Sequence, residues 1–293
     1  MKTLLVAAAL LVFVAEARPD WKSIAPGVDY QEWIGEGRAI YVTRVDLRNT
    51  AIRLTATPEK DRATTVSEYA RRNNALVAIN ADFFDEKRKP IGLSVGPCGP
   101  WKGTADTERE AVFYTDGGRG RIQPSKEVLT DLTGIEAAVS GWPIVITGCE
   151  ALTSEELPGS DAFTRKPHPR TALGLSRDRR RLYLVVADGR REGVPGLTLA
   201  ELGEFMDETL DVCSGLNLDG GGSTAMWVAG CVVNVPSDKR ERVVANHIGI
   251  VLAEDFVSCE SETIPPPSYA AECPRTRPEQ APLTSTSVAA PRH

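Results

Sequence analysis

Histidine is scarce here, with three residues in 293, and none of the six cysteines forms a Cys-x-x-Cys pair. Together these absences argue against a Cys/His zinc site. A protease reading finds neither a His-Glu-x-x-His pair nor a strand–elbow–helix nucleophile. Positive charge is not in excess: 34 Lys and Arg stand against 40 Asp and Glu, a net charge of -6, which speaks against a nucleic-acid partner. Long hydrophobic runs are missing as well. The apolar run from Leu4 to Ala15 is shorter than the ~20 residues a bilayer span needs, and no other stretch comes close. With Lys2 before it and Ala15-Glu16-Ala17 after it, residues 1–17 read as a secretory signal peptide. The expectation is a mature chain that is secreted or periplasmic, with no membrane attachment.

What is present describes an ordinary globular protein, 42% hydrophobic and 25% charged. An even number of cysteines in an exported chain predicts up to three disulfides among 15 connectivities, and Cys259–Cys273 is the pairing expected to staple the C-terminal segment. From Ile264 onward Pro, Ala, Ser and Thr dominate without periodicity, so residues 265–293 are expected to be a disordered tail behind a domain at 18–264. Within that domain many short apolar runs are joined by turns. Ala39–Leu47 reads as a strand with Ile52–Ala56 as its hairpin partner, and Ala75–Ile79 as a buried strand. Ala172–Ser176 and Leu182–Ala187 read as a long hairpin around an arginine-rich, solvated turn, and Ile248–Leu252 as the last strand. Thr65 with Glu68, and Thr198 with Glu201, have capping-box spacing and predict helices near 65–73 and 198–210. The fold class expected is α+β: a single mixed domain, strand-rich, with a few packed helices.

The most informative stretch is Asn217-Leu218-Asp219-Gly220-Gly221-Gly222-Ser223-Thr224. Three consecutive glycines add no packing, so a fold keeps them where the backbone needs unusual dihedrals or close approach. Their N–H groups, with the Ser223 and Thr224 hydroxyls, can form an anion-binding nest. Three strands should end in an acid, at Asp82, Asp188 and Asp219, beside loops carrying Asn80, His168-Pro169-Arg170 and Asn246-His247. Carboxylates beside an anion cradle suit a sugar bearing phosphate.

These pieces resemble the phosphodiester glycosidase family in kind and in order. The matching segments are Asn80-Ala81-Asp82-Phe83-Phe84, Pro169-Arg170-Thr171-Ala172-Leu173-Gly174, Val186-Ala187-Asp188-Gly189-Arg190, Asn217 to Ser223, and Asn246-His247. The resemblance implies hydrolysis of the C1–O bond of a sugar-1-phosphodiester, with an N-acetylglucosamine-like sugar. It offers Asp219 or Asp188 as the carboxylate facing the anomeric carbon, with the other orienting or acting as base, and His247 or His168 as proton carriers. For the substrate and its phosphate it offers Asn80, Asp82, His168, Arg170, Asn217, Gly220, Gly221, Gly222, Ser223 and Thr224. Asp82 departs from the family pattern, where glycine is usual. No cofactor is required, although a divalent cation such as calcium is compatible with the acids. Two other readings stand beside this one: a secreted carbohydrate- or cell-wall-binding protein without turnover, and a metal-dependent phosphodiesterase that cuts P–O.

Overall fold

The computed structural model describes residues 20–107, 110–116, 118–124, 126–259, 267–268 and 273–274. The expected signal peptide lies outside the described residues, as does the expected tail apart from the last two pairs. The fold is strand-rich, with three antiparallel sheets and few helices.

Runs such as Leu182-Tyr183-Leu184-Val185-Val186-Ala187 are apolar at every position, and successive side chains of a strand point to opposite faces. Such a strand therefore needs cover on both sides. Leu182, Leu184 and Val186 enter one core cluster, and Tyr183, Val185 and Ala187 enter another. The strand, Arg181–Ala187, sits inside an eight-stranded sheet. The order of that sheet is Lys22–Ala25, Val28–Gly35, Arg38–Asp46, Arg181–Ala187, Arg170–Leu175, Ser214–Asn217, Ile144–Thr147, Glu150–Ala151.

A five-stranded sheet faces it, in the order Cys231–Val232, Met226–Val228, Ala75–Asn80, His247–Leu252, Ile52–Ala56. Val77, Ile79, Ile248 and Ile250 from this sheet meet Leu173, Leu184 and Leu216 from the larger one in the central core. Each fully buried Leu or Ile side chain contributes roughly 1.5–3 kcal/mol relative to exposure. Outside the large sheet lies the helix Leu199–Glu204, continued by a wider turn over Phe205–Thr209, which packs Leu199, Leu202, Phe205 and Met206 onto it. Its capping box, Thr198 with Glu201, is formed. Outside the smaller sheet the helix Val66–Arg72, capped by Thr65, packs Val66, Tyr69 and Ala70 against Ala78, Trp227 and Val251. A third sheet, Gly99–Pro100, Val95–Gly96, Ala138–Gly141, Ala111–Asp116, Arg119–Gln123, adds Phe113 and Val139 to the central core.

Two expectations are corrected. Ile52–Ala56 is not the hairpin partner of the preceding strand. It crosses to the facing sheet and pairs with His247–Leu252, because both edges of Arg38–Asp46 are taken, by Val28–Gly35 and Arg181–Ala187. The disulfides are Cys98–Cys259, Cys149–Cys213 and Cys231–Cys273, so Cys259 and Cys273 do not pair with each other. Each instead reaches back to the body of the fold. Ser268 is fastened there too, its N–H donating to both carboxylate oxygens of Asp255.

Candidate active-site cleft

Antiparallel pairing decides which chain ends meet. Arg170 opens its strand opposite Ala187, the last residue of the partner strand, and Asn217 ends a third strand opposite Ala172. The segments His168-Pro169, Asp188-Gly189-Arg190 and Leu218-Asp219 therefore emerge at one pole. From the facing sheet Asn80, paired with His247, exits there too. Asn80 is fully buried and acts as the brace. Its Nδ2 donates to the Asp219 carbonyl at 2.6 Å. Its Oδ1 accepts from Thr171 Oγ1 at 2.9 Å and from the Ala225 N–H at 3.2 Å. The Asp219 N–H donates to Ala81 O at 3.0 Å, so the residue is held on both sides of its Cα.

Each of the three following glycines answers a steric demand. A Cβ on Gly220 would lie 2.8 Å from Pro169 O, and one on Gly222 would lie among Arg242 Nη2 and Asp238 Oδ2. Gly221 has φ +62°, and its N–H donates to Pro169 O at 2.9 Å. The Ser223 and Thr224 N–H groups donate to Gly220 O and Gly221 O, and the Gly220 N–H donates to the Asp219 carboxyl. The anion nest expected from sequence is thus largely engaged by the protein itself. The loop shapes the cleft and holds Asp219, while cationic side chains face the space in front of it.

That space is a cleft of about 440 Å³ lined by Phe83, Phe163, His168, Arg170, Arg190, Asp219, the three glycines and Arg242, among others. Asp219 is the one carboxylate among the described residues that line it. Burial pushes its carboxyl up to about 6, against the opposing pull of the Ser223 hydroxyl, Arg242, the Gly220 N–H and Arg88. Arg170 is only 2% exposed, and no carboxylate among the described residues pairs with it. Its Nε donates to Leu197 O, its Nη2 donates to Phe163 O and Lys166 O, and its guanidinium lies 5.2 Å from the Phe163 ring centroid. Burial, and then repulsion from Arg190, lower its pKa to about 10. Two neighbouring guanidiniums at a cleft, one buried without a counter-ion, form a site that an anion would stabilise.

His168 orients Arg190. Its Nε2 lies 2.7 Å from Ala162 O, which can only accept, so Nε2 carries the proton and Nδ1 accepts from Arg190 Nη2 at 3.1 Å. Arg242 is held by Asp238 through Nε and Nη2, and its Nη1 donates to Ser223 Oγ at 3.4 Å. Phe163, beside Arg170, stacks on Trp142 with centroids 5.4 Å apart and stands 6.2 Å from Phe83, an aromatic platform of the kind sugar rings pack against.

Several residues singled out in the sequence are near this cleft without lining it. Asp188 is not at the cleft surface. Its carboxylate accepts from Asn234 Nδ2, the Val235 N–H, Tyr41 OH and Arg191 Nη2, which makes it a brace between loops. His247 is fully buried, stacked on Tyr69 at 4.7 Å, with Nδ1 2.9 Å from Thr57 Oγ1, so it has no route to a substrate. Asp82 is 2% exposed, and its Oδ1 accepts from the Ser140 N–H. Burial first, then the neighbouring charges of Glu110 and Asp219, push its carboxyl well up. Asn217 Nδ2 donates to Trp142 O and braces the aromatic corner. Thr224 is buried, with its Oγ1 3.4 Å from Thr171 Oγ1; the Thr171 proton is committed to Asn80, so in this contact Thr224 donates. A hard-cation site built from Asp82, Asp188 and Asp219 is not assembled, and among the described residues no three His, Cys, Asp or Glu side chains converge.

Sequence reasoning undervalued Arg190 and missed Arg242, Phe163 and Trp142. Arg242 sits in an unpatterned charged loop after Pro236, where nothing but the fold brings it to Gly222. A G-x-S-x-G spelling at Gly92-Leu93-Ser94-Val95-Gly96 is not a nucleophile elbow: Ser94 is fully buried and its Oγ accepts from Asn246 Nδ2 at 2.8 Å.

Comparison with known proteins gives matches in sequence and in fold. The profile of the family described as phosphodiester glycosidase matches residues 73–251. The chain is 33% identical over 199 residues to human N-acetylglucosamine-1-phosphodiester alpha-N-acetylglucosaminidase, covering 60% of this chain and 36% of that protein. It is 30% identical over 190 residues to the bovine protein of the same name, again covering 60% and 36%. To the SPbeta prophage-derived protein YomE of Bacillus subtilis it is 27% identical over 198 residues, 65% of this chain and 30% of YomE. The chain thus spans about a third of the length of these relatives. The fold matches the zebrafish N-acetylglucosamine-1-phosphodiester alpha-N-acetylglucosaminidase catalytic domain, auto-inhibited by pro-peptide, with a TM-score of 0.62 at 18% identity, covering 80% of this chain and 86% of that one. A hypothetical protein from Synechocystis matches with a TM-score of 0.58 at 17% identity, covering 80% and 64%.

Proposed function

The chain belongs to the phosphodiester glycosidase family, and from that premise we propose that it hydrolyses the C1–O bond of a sugar-1-phosphodiester, releasing free sugar and a phosphomonoester. The observation that carries the reading is Asp219, a carboxyl raised to about 6, facing a cleft that also presents Arg170, Arg190 and Arg242. In this reaction the electron pair of the C1–O bond leaves with a phosphate oxygen. A phosphomonoester is a good leaving group and needs little protonation, so the guanidiniums that hold it replace the general acid of ordinary glycosidases. One carboxylate at the sugar side is then sufficient, and Asp188 is left to its bracing role. Ionised Asp219 either attacks C1 or takes a proton from the attacking water. A tuned pKa near working pH suits both tasks. Retention of anomeric configuration distinguishes the first from the second. The Trp142–Phe163 platform supports the sugar or its aglycone.

The sugar we favour is N-acetylglucosamine, after the names of the mammalian relatives. Three disulfides suit an oxidising compartment and support the proposal of a secreted protein.

The test is incubation with α-N-acetylglucosaminyl phospho-methylmannoside in ¹⁸O-water. Free N-acetylglucosamine carrying ¹⁸O, with an unlabelled mannoside phosphate, is the expected result. N-acetylglucosamine 1-phosphate as product would replace the proposal with P–O cleavage. Saturable binding of several glycosyl phosphodiesters without turnover would favour the binding-protein reading.

A further inference from the structure

The arginine run at Arg177 to Arg181 reads from sequence as a solvated turn, and the fold gives it company. The strand Arg170–Leu175 has Arg170 at the catalytic pole, and its six residues carry the chain about 20 Å to the opposite pole. There the turn meets two others. The Leu47 N–H donates to Arg180 O, and the Gly120 N–H donates to Arg179 O. The three turns enclose an open recess of about 600 Å³ whose charged lining is Arg48, Arg53, Arg119 and Arg180, with Asn49 and Thr50 beside them. No acid lines it. Of the acids at this pole, Asp46, Asp178 and Asp211 lie in a neighbouring groove beyond Arg48 and Arg180, and Asp116, cross-strand from Arg119, is paired with Arg121.

Four guanidiniums converge here in a chain whose net charge is -6. Arg48 pairs with Asp46 through Nε and Nη2, which leaves Nη1 for another acceptor. Arg53 lies over the Phe256 ring at 4.8 Å, a stacking that holds the guanidinium in place without neutralising it. Among the described residues, no carboxylate is within ion-pair distance of the Arg119 or Arg180 guanidinium, although Asp178 accepts from the Arg180 N–H and feels the charge of its side chain. Held forks of this kind match the tetrahedral oxygens of phosphate.

We infer that this recess is a second anion site, which binds a phosphodiester-bearing glycan chain remote from the cleft. The identity of the polymer rests on the proposed function; the anion site rests on the arginines alone. A polymer of glycosyl phosphodiesters repeats its charge along its length, so a chain seated at the basic pole presents further phosphodiesters to the Asp219 cleft. The recess then raises the local substrate concentration, and it acts on polymers but not on small soluble substrates.

The experiment uses the full chain and a mannan carrying mannose phosphodiesters, with unphosphorylated mannan as control. Binding is read by affinity electrophoresis at several salt concentrations. Wild type is expected to be retarded by the phosphorylated polymer only. Arg119→Ala with Arg180→Ala should bind roughly tenfold more weakly and depend less on salt. Hydrolysis of the small methylmannoside substrate should be unchanged. Arg119→Glu alone, at an exposed position, gives the same direction if the double variant fails to fold. Equal retardation of wild type and variants overturns the inference, as does equal retardation of wild type by the unphosphorylated mannan. Arginine-dependent retardation by inorganic polyphosphate with none by the phosphorylated mannan overturns the glycan assignment. Loss of small-substrate hydrolysis in wild type would sink the proposed function instead, leaving arginine-dependent polymer binding as a separate result.

Discussion

Asp219 illustrates how a catalytic group is set against the stability of its own fold. Its carboxyl titrates at about 6, raised from 3.8 mainly by burial. The folded chain therefore holds the proton more tightly than the unfolded chain. This contribution to stability is complete below the unfolded pKa and is lost as pH rises through about 6, a cost of order 3 kcal/mol near neutrality. Asp219→Asn removes the charge while keeping the shape. Turnover should fall by about 10³ or more, and the Tm at pH 7 should exceed that of wild type, with the advantage fading below about pH 4. In wild type kcat/KM should drop on the acid side with an apparent pKa near 6, because the ionised form does the work. A variant that keeps full turnover would take Asp219 out of the mechanism. His247 obeys the opposite sign. Burial lowers its pKa from 6.5 to about 3, so the fold holds it uncharged and loses stability as pH falls below the unfolded value. His247→Gln should be less stable than wild type at pH 7 yet lose less on acidification to pH 4. Urea titrations at the two pH values measure that difference. An equal loss in both proteins would mean that another group governs acid unfolding.

The glycine loop makes separable demands at its first and third positions, and the nature of the colliding atom decides the outcome. A methyl at Gly220 meets a backbone carbonyl, Pro169 O, which the strand Arg170–Leu175 fixes in place. Gly220→Ala should therefore lower stability by roughly 1–3 kcal/mol and disturb Asp219 with it. A methyl at Gly222 meets the flexible ends of Arg242 and Asp238. Gly222→Ala should displace that ion pair, raise KM for the phosphodiester, and leave the stability within about 1 kcal/mol of wild type. Thermal melts beside initial rates decide between these effects; similar melts for both variants would refute the distinction. The demand itself was legible in the sequence, since three glycines in series after an acid have no packing use. So were the two capped helices and the hairpin Arg170–Leu175/Arg181–Ala187, whose signals are local. The partner of Ile52–Ala56 was not, because the four residues between Leu47 and Ile52 fit a hairpin and a crossing between sheets equally well, and pairing elsewhere in the chain decides between them. Arg242 and Phe163 were hidden for the same reason. Their loops carry no periodicity, and only long-range strand pairing brings them to Asp219.

The molecule is two facing sheets with a helix on each outer face, a third sheet that adds to their core, and two disulfides that tie Cys259 and Cys273 back to it. Composition told of the cysteines and their oxidation to disulfides, but pairing is a property of the folded chain, and neighbours in sequence were not neighbours in space. Cys98–Cys259 closes 161 residues and Cys231–Cys273 closes 42. In the chain-entropy account these closures are worth about 5 and about 4 kcal/mol, with measured values often smaller. Both attach the segment after Asp255, where Ser268 is held by Asp255 and Lys22 Nζ donates to Pro274 O at 2.9 Å. None of the six cysteines lines the Asp219 cleft. Replacing Cys98 and Cys259 by Ser should therefore lower stability by several kcal/mol, and more than replacing Cys231 and Cys273. The hydrolytic rate per folded molecule should stay close to wild type in both. Denaturant melts with active-site titration measure the two quantities separately. A rate that collapses while the protein remains folded would show that the C-terminal segment holds the cleft in shape, and that the two ends of the fold are coupled rather than merely joined.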